Sequence, residues 1–84
     1  MEKRYFSVDF IRKAIRKNSV VFLNPHSGDT IEMDNNSRDI FRYIIKNNPT
    51  KAEIMEYARN YKVEYDEVAG YISCLEEIGL IYEA

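Results

Sequence analysis

The sequence predicts an α+β fold in which a three-stranded antiparallel sheet is followed by three helices, in the order β-β-β-α-α-α. Up to about residue 34, apolar residues mostly alternate with polar ones, which is the period of a strand with one buried face. Beyond that point they recur three and four residues apart, as on one face of a helix. With 84 residues and no long linker, residues 1–84 are expected to form a single domain with one modest core.

The cysteine and hydropathy patterns restrict the class of protein. Cys74 is the one cysteine, so neither a disulfide framework nor a Cys-rich zinc site is expected. A lone thiol suits a reducing compartment, and no segment has the features of a signal peptide or the length of a membrane span. We therefore expect a cytoplasmic protein without a membrane partner.

The first strand is predicted over residues 4–12, where Phe6, Val8 and Phe10 alternate with polar residues and would face the core. The basic stretch 12–18 follows, and its pattern leaves a helical turn and a wide connection as alternatives.

A β-hairpin is predicted next. Residues 19–24 are rich in β-branched and aromatic side chains, and residues 29–34 alternate again, so these segments form the second and third strands. Residues 25–28 supply the turn, with Gly28 able to adopt positive φ. Within the third strand, we expect Ile31 and Met33 to face the core or the floor of a groove, with Thr30 and Glu32 nearer to solvent.

Three helices are predicted from spacing and from end signals. Asn and Ser side chains after residue 34 could cap the first helix, Thr50 and Glu53 form a capping box for the second, and Tyr65 or Asp66 opens the third. Gly79 suits a left-handed C-terminal residue, with Leu80 packing back on the last turn. The residues predicted to be buried are Ile40, Phe41, Ile44 and Ile45 in the first helix, Ile54, Ala58 and Tyr61 in the second, and Val68, Ile72 and Leu75 in the third.

This order of elements is winged-helix-like, and DNA binding is a common function of that arrangement. The charges oppose that function here. The third helix begins among Glu64, Asp66 and Glu67, and no Lys or Arg follows Lys62, whereas DNA affinity comes largely from cations at phosphates. A small DNA-binding regulator therefore stays the second hypothesis, and we expect no nucleic-acid partner.

Residues 19–81 resemble the PqqD-like RiPP recognition elements, which bind ribosomally made, later modified peptides. The resemblance rests on an apolar strand that ends in Asn, on a Thr-x-x-Glu-Ile helix start, on a Tyr one helix later, and on the pattern of the last helix. These features correspond to Val20–Asn24, to Thr50, Glu53 and Ile54, to Tyr61, and to Glu67, Val68, Tyr71, Ile72, Leu75, Gly79 and Leu80.

The resemblance implies a non-enzymatic peptide chaperone. The leader of a precursor peptide would add as a strand to the third strand, in a groove beside the third helix, and the domain would deliver it to a radical-SAM enzyme, a protease or a cyclase. Such elements occur in lasso-peptide and radical-SAM peptide systems. The peptide-binding residues implied are Asp29, Thr30, Ile31, Glu32, Met33, Asp34, Glu64, Glu67, Val68, Tyr71, Cys74 and Leu75.

Several of these residues also have a purely structural interpretation. On a helical wheel, Glu67, Tyr71, Cys74 and Ile78 form a stripe beside the buried face, where Tyr71 could equally be a core tyrosine and Cys74 a packing residue. The acidic residues of the third strand could simply protect its edge from pairing, and Glu64 and Glu67 could simply favour a helix start.

No constellation of catalytic residues, metal ligands or cofactor-binding groups is recognisable, and His26 is expected at the surface. An enzyme acting alone is therefore not predicted. A subunit that stabilises a larger enzyme through its sheet edge is a third hypothesis, and dimerisation by strand exchange stays open.

Overall fold

The computed structural model describes residues 2–84 as a mixed α/β fold with three α-helices and two small antiparallel sheets. Within these residues, none of the helices has the length and apolarity that crossing a membrane requires. The elements in chain order are β1 Tyr5–Ser7, β2 Arg12–Ile15, β3 Val20–Leu23, β4 Thr30–Met33, α1 Asn35–Asn47, α2 Lys51–Ala58, a 3₁₀ turn Arg59–Tyr61, α3 Tyr65–Glu77 and β5 Ile81–Glu83.

The larger sheet has the strand order β2-β3-β4. The predicted hairpin is confirmed as β3 and β4, with Phe22 opposite Ile31 and with Gly28 at φ +80° in the turn. The basic stretch after residue 11 is neither a helical turn nor a wide connection, because Arg12–Ile15 pairs with β3 as a strand. All four residues of β2 are exposed, so its sequence lacks the alternation that marks a half-buried strand.

The predicted first strand is wrong in its extent and in the face that it buries. β1 ends at Ser7, Tyr5 is buried instead of Phe6, and Phe10 is 82% exposed at φ 66° in a turn. Val8, which follows the strand, packs against the core as predicted. Period-two alternation through Phe10 therefore does not describe one continuous strand. Burial raises the pKa of Tyr5 to about 12, and the nearby carboxylates of Glu76 and Glu83 add to that shift.

β1 pairs with a strand that the sequence pattern does not predict. Tyr5 lies opposite Glu83 and Ser7 opposite Ile81, so β1 and β5 form the second sheet. The order is thus β-β-β-β-α-α-α-β instead of β-β-β-α-α-α. Leu80 and Ile81 after the last helix are buried, which explains why apolar residues follow Gly79.

Helix α1 packs one face against the larger sheet. Ile40, Phe41 and Ile44 are buried, and the Phe41 ring meets Phe22 edge-to-face with 4.9 Å between ring centroids. Ile45, predicted in the core, is 41% exposed. The N-cap is Asp34 rather than an Asn or Ser, because its carboxylate accepts a hydrogen bond from the Ser37 N–H at 2.7 Å.

The predicted capping box of α2 is confirmed. Thr50 Oγ1 accepts from the Glu53 N–H at 3.2 Å, and a Glu53 carboxylate oxygen accepts from the Thr50 N–H at 3.0 Å. The hydrogen bond from the Thr50 backbone, with the Arg4 guanidinium nearby, lowers the pKa of Glu53. Ile54 and Ala58 are buried, and Tyr61 is partly buried in the 3₁₀ turn.

Helix α3 buries Val68, Ile72 and Leu75 as predicted, and it ends in a Schellman motif. The Leu80 N–H donates to the Leu75 carbonyl and the Gly79 N–H to the Glu76 carbonyl, each at 3.0 Å. Gly79 has φ +74°, so the left-handed residue predicted there is confirmed. The chain then continues into β5, and the buried side chains of Leu80 and Ile81 cover the core.

The glycine inside α3 and the glycine just after its end should respond oppositely to alanine. At Gly79 the backbone is left-handed and an added Cβ would lie 3.0 Å from Asn24 Nδ2, so Gly79→Ala should lower the free energy of unfolding by about 1–3 kcal/mol. Gly70 lies inside α3 with open space around it, so Gly70→Ala should raise that free energy by up to about 1 kcal/mol. Urea denaturation of both variants checks this, and a stabilising Gly79→Ala would contradict the Schellman ending.

Candidate functional site

The free edge of β4 is the first component of the candidate site. Asn24 N–H donates to the Asp29 carbonyl, and hydrogen-bonded pairs alternate along an antiparallel ladder. In this register Ile31 and Met33 exchange their backbone hydrogen bonds with β3. The N–H and C=O groups of Thr30 and Glu32 therefore point away from β3, and within residues 2–84 no strand pairs with them.

The side chains of β4 are distributed as the sequence predicted. Met33 is buried and Ile31 partly buried, both on the face towards the helices. Thr30 and Glu32 are exposed, as is Asp29 just before the strand. Glu32 lies 3.9 Å from Arg16 in an exposed ion pair, which contributes little to stability. The strand thus offers backbone groups at its edge and carboxylates around it.

Helix α3 supplies the second component, held beside β4 by Tyr71. The Tyr71 hydroxyl lies 2.9 Å from Met33 Sδ and 2.9 Å from the Ser37 carbonyl oxygen, so its single proton has two acceptors within reach. Burial raises the pKa of Tyr71 well above its usual range, and the nearby Asp34 and Cys74 add to the shift. Tyr71 is therefore a structural contact between α3 and the end of β4.

The other end of α3 is held to the hairpin by Asn24. Its Nδ2 donates to the Ile78 carbonyl at 2.8 Å, and Asn24 lies opposite the start of β4. Since Tyr71 contacts Met33 at the far end of β4, α3 runs alongside this strand in the opposite direction. The surface between these two contacts, from α3 to the free edge of β4, is called the candidate groove here.

Cys74 lies between these two contacts on the stripe of α3 that contains Tyr71 and Ile78. Its side chain is exposed, so the interpretation of Cys74 as a packing residue is wrong. Tyr71 and Ile78 on either side of it are partly buried. The small side chain of Cys74 is therefore exposed to solvent between Tyr71 and Ile78, the two positions at which α3 contacts the hairpin.

Two α3 residues of the implied peptide-binding set are buried. Leu75 is completely buried and Val68 is 2% exposed, so both belong to the core. The same wheel that predicted their burial explains this, because they share the face of Ile72. Glu64 is the N-cap of α3 but makes no side-chain capping hydrogen bond, and its carboxylate is exposed.

A pocket of about 300 Å³ continues the groove past the end of β4. Asp34, Glu67, Val68 and Tyr71 from the implied set line it. The other lining residues were not predicted as part of the site, and they come from the start of α1 and from the segment before α3. They are Asn36, Ser37, Ile40, Tyr61, Lys62 and Val63. The periodicity of apolar residues within each element does not indicate that the start of α1 and the segment before α3 are in contact.

Across residues 2–84, no cluster of three His, Cys, Asp or Glu side chains is placed to hold a metal ion. His26 is exposed, as expected, and its Nε2 lies 3.3 Å from the Asp9 carbonyl oxygen. What the groove offers chemically is backbone hydrogen bonding, carboxylates and one exposed thiol.

Comparisons with protein families, with curated proteins and with solved structures found no match to this chain.

Removing the Tyr71 hydroxyl should destabilise the fold and change its response to alkaline pH. Tyr71→Phe loses a buried hydrogen bond, so the free energy of unfolding should fall by about 1 kcal/mol at pH 7. A raised pKa in the folded protein means that stability is complete below the ordinary tyrosine pKa of 10.0 and declines as pH rises above it. This decline should be smaller in Tyr71→Phe than in the parent.

Urea denaturation between pH 7 and 11 measures both effects. Tyr82→Phe is the matched control, because Tyr82 is 49% exposed and its loss should change stability by less than about 0.5 kcal/mol. Tyr5 and Tyr61 also have raised pKa values, so part of the alkaline decline should remain in every variant. An unchanged pH dependence in Tyr71→Phe would contradict the burial of this hydroxyl.

Proposed function

We propose that this chain is a PqqD-like RiPP recognition element, a non-enzymatic chaperone that binds the leader of a ribosomal precursor peptide. The observation that carries the proposal is the free edge of β4 beside α3. Thr30 and Glu32 direct unpaired N–H and C=O groups towards solvent there, which is what an added peptide strand requires. The chaperone would then deliver the peptide to a radical-SAM enzyme, a protease or a cyclase.

The charges around the groove favour a leader with basic residues. Asp29, Glu32 and Asp34 lie along or beside β4, and Glu67 lines the pocket at its end. Lys62 is the one cation that lines this pocket. Lysine or arginine side chains of the leader would gain from the carboxylates, which would also discourage pairing with acidic strands.

The fold is proposed to be a variant of the winged-helix-like arrangement, to which the β1–β5 pair is added. The second candidate function, DNA binding, draws on this arrangement. The acidic start of α3 opposes it, because Asp66 and Glu67 lie in the first turn that would approach the phosphates. We therefore place DNA binding second.

The deciding experiment is an NMR amide-shift titration of the ¹⁵N-labelled chain. One series uses the leader of the precursor peptide encoded beside this gene, and the other uses a short DNA duplex. Shifts in residues 29–34 and 64–78 with the leader, and none with DNA, are expected. If the leader causes no shifts and DNA shifts α3 or the basic residues 12–17, the chaperone function is wrong and DNA binding is favoured.

Proline at position 32 should abolish strand addition without breaking the internal sheet. Glu32→Pro removes an N–H that points outward, and proline is tolerated on edge strands. The leader affinity should fall at least about tenfold, which corresponds to one backbone hydrogen bond. Fluorescence anisotropy with labelled leader measures the change.

Glu32→Thr is the matched control, because it removes the same charge and keeps the N–H. Prolines at Ile31 or Met33 are unsuitable, since their N–H groups pair with β3 and the hairpin itself would be disrupted. If Glu32→Pro remains folded and binds the leader as tightly as Glu32→Thr does, strand addition at β4 is wrong.

Leader binding should also shield the Cys74 thiol. Because Cys74 is exposed beside the groove and is the one cysteine, its reaction with a thiol reagent such as DTNB should slow as leader occupancy rises. In a Cys74→Ser, Ser73→Cys variant the thiol moves to an exposed position outside the stripe, where the leader should not protect it. Equal protection of both thiols would place the peptide elsewhere.

A further inference from the structure

The opposite edge of the larger sheet is also unpaired within residues 2–84 and differs chemically from β4. Arg16 N–H donates to the Ser19 carbonyl, so by alternation Arg12 and Ala14 exchange hydrogen bonds with β3. The backbone groups of Lys13 and Ile15 therefore point outward. The Ile15 side chain is 74% exposed, so this edge combines unpaired backbone with exposed apolar surface.

A cavity of about 250 Å³ lies beside this edge, between the β2 side of the sheet and α1. Its floor is apolar and is formed by Ile11, Phe22, Phe41 and Ile45. Its remaining lining residues are the cations Lys13, Arg38 and Arg42, and no acidic residue lines it. An apolar floor with a basic rim suits a ligand that carries both apolar groups and carboxylates.

The cations of this cavity are incompletely paired. One terminal nitrogen of Arg38 donates to the Asp39 carboxylate at 3.1 Å, but Arg38 Nε is buried without a hydrogen-bond partner. Among the described residues, Lys13 and Arg42 take part in no ion pair. Carboxylates entering the cavity would therefore meet guanidinium and ammonium groups that have capacity to bind them.

Strand geometry relates the edge to the cavity. Directly opposed residues of antiparallel strands share a face, so Lys13 and Ile15 lie on the helix-facing side with Phe22 and Val20. A strand added to β2 would direct every second side chain over the cavity. Its apolar side chains could cover Ile15 and Ile45, and its carboxylates could reach Arg38 and Arg42.

We propose that the β2 edge and this cavity bind an extended acidic segment of a partner protein, in which apolar side chains alternate with carboxylates. Charge complementarity selects this occupant, and the apolar floor favours a polypeptide over nucleic acid. β3 separates this surface from the β4 edge, so both edges can be occupied together. The proposal does not depend on what binds to β4.

A pair of synthetic peptides tests the proposal on the ¹⁵N-labelled full chain. The first probe is a capped heptapeptide of alternating glutamate and leucine, and the second has lysine in place of every glutamate. The glutamate peptide should shift the amides of residues 11–15 and 38–45, and its binding should weaken with added salt. The lysine peptide should leave these residues unshifted.

Variants identify the groups responsible. Arg42→Glu places a carboxylate at the rim and should weaken binding of the glutamate peptide about tenfold. Ile15→Pro removes an outward N–H and should weaken binding to a similar degree. Lys51→Glu is the control, since Lys51 is exposed at the start of α2 outside this cavity, and it should bind as the parent does.

Four outcomes would overturn the proposal. These are absence of shifts at millimolar glutamate peptide, equal binding of the lysine peptide, and equal losses in Arg42→Glu and Lys51→Glu. The fourth is that something other than an acidic peptide occupies this edge. Either a DNA duplex would shift residues 11–15 in preference to the peptide, or sedimentation would show self-association that Ile15→Pro abolishes. None of these outcomes bears on leader binding at β4, which Glu32→Pro tests separately.

Discussion

The side chain of Asn24 joins the two parts of the molecule that define the candidate site. It is 3% exposed, and both ends of its amide are satisfied: Nδ2 donates to the Ile78 carbonyl and Oδ1 accepts from the His26 N–H. A buried amide without these partners would cost stability. A Cβ on residue 79 would lie 3.0 Å from Nδ2 of the same amide, so this close approach and the left-handed backbone both favour glycine at that position. The hairpin turn and the end of α3 are thus one unit.

This unit determines how α3 lies against β4. Asn24 holds the helix at one end of the strand and Tyr71 holds it at the other, through Met33 and Ser37. The helix is therefore beside the strand without filling its edge, and Cys74 remains exposed between the two contacts. These polar contacts fix the two ends of α3 relative to the hairpin, and the buried face of Val68, Ile72 and Leu75 packs into the core.

The sequence predicted the elements whose signals are local. The β3–β4 hairpin, the Thr50 capping box, Gly79 and the buried face of α3 all follow from periodicity or end chemistry. It could not predict β2, because a strand exposed on both faces has no alternation, or β5, because three residues carry no period. In the site, alternation correctly placed Thr30 and Glu32 outward. The role of Asn24 was not predictable, since one polar side chain gives no sign of a partner 54 residues away.

Both outer strands depend on β3, whose backbone groups are used alternately on its two sides. The backbone N–H and C=O groups of Val20 and Phe22 form hydrogen bonds with β4. Those of Val21 and Leu23 form hydrogen bonds with β2. The edges that remain carry opposite charge, with Asp29 and Glu32 at one and Arg12 and Lys13 at the other. Two copies cannot pair through like edges without repulsion, which limits symmetric association through this sheet. A partner of either charge therefore has one preferred edge, and occupation of that edge leaves the backbone groups of the other edge free.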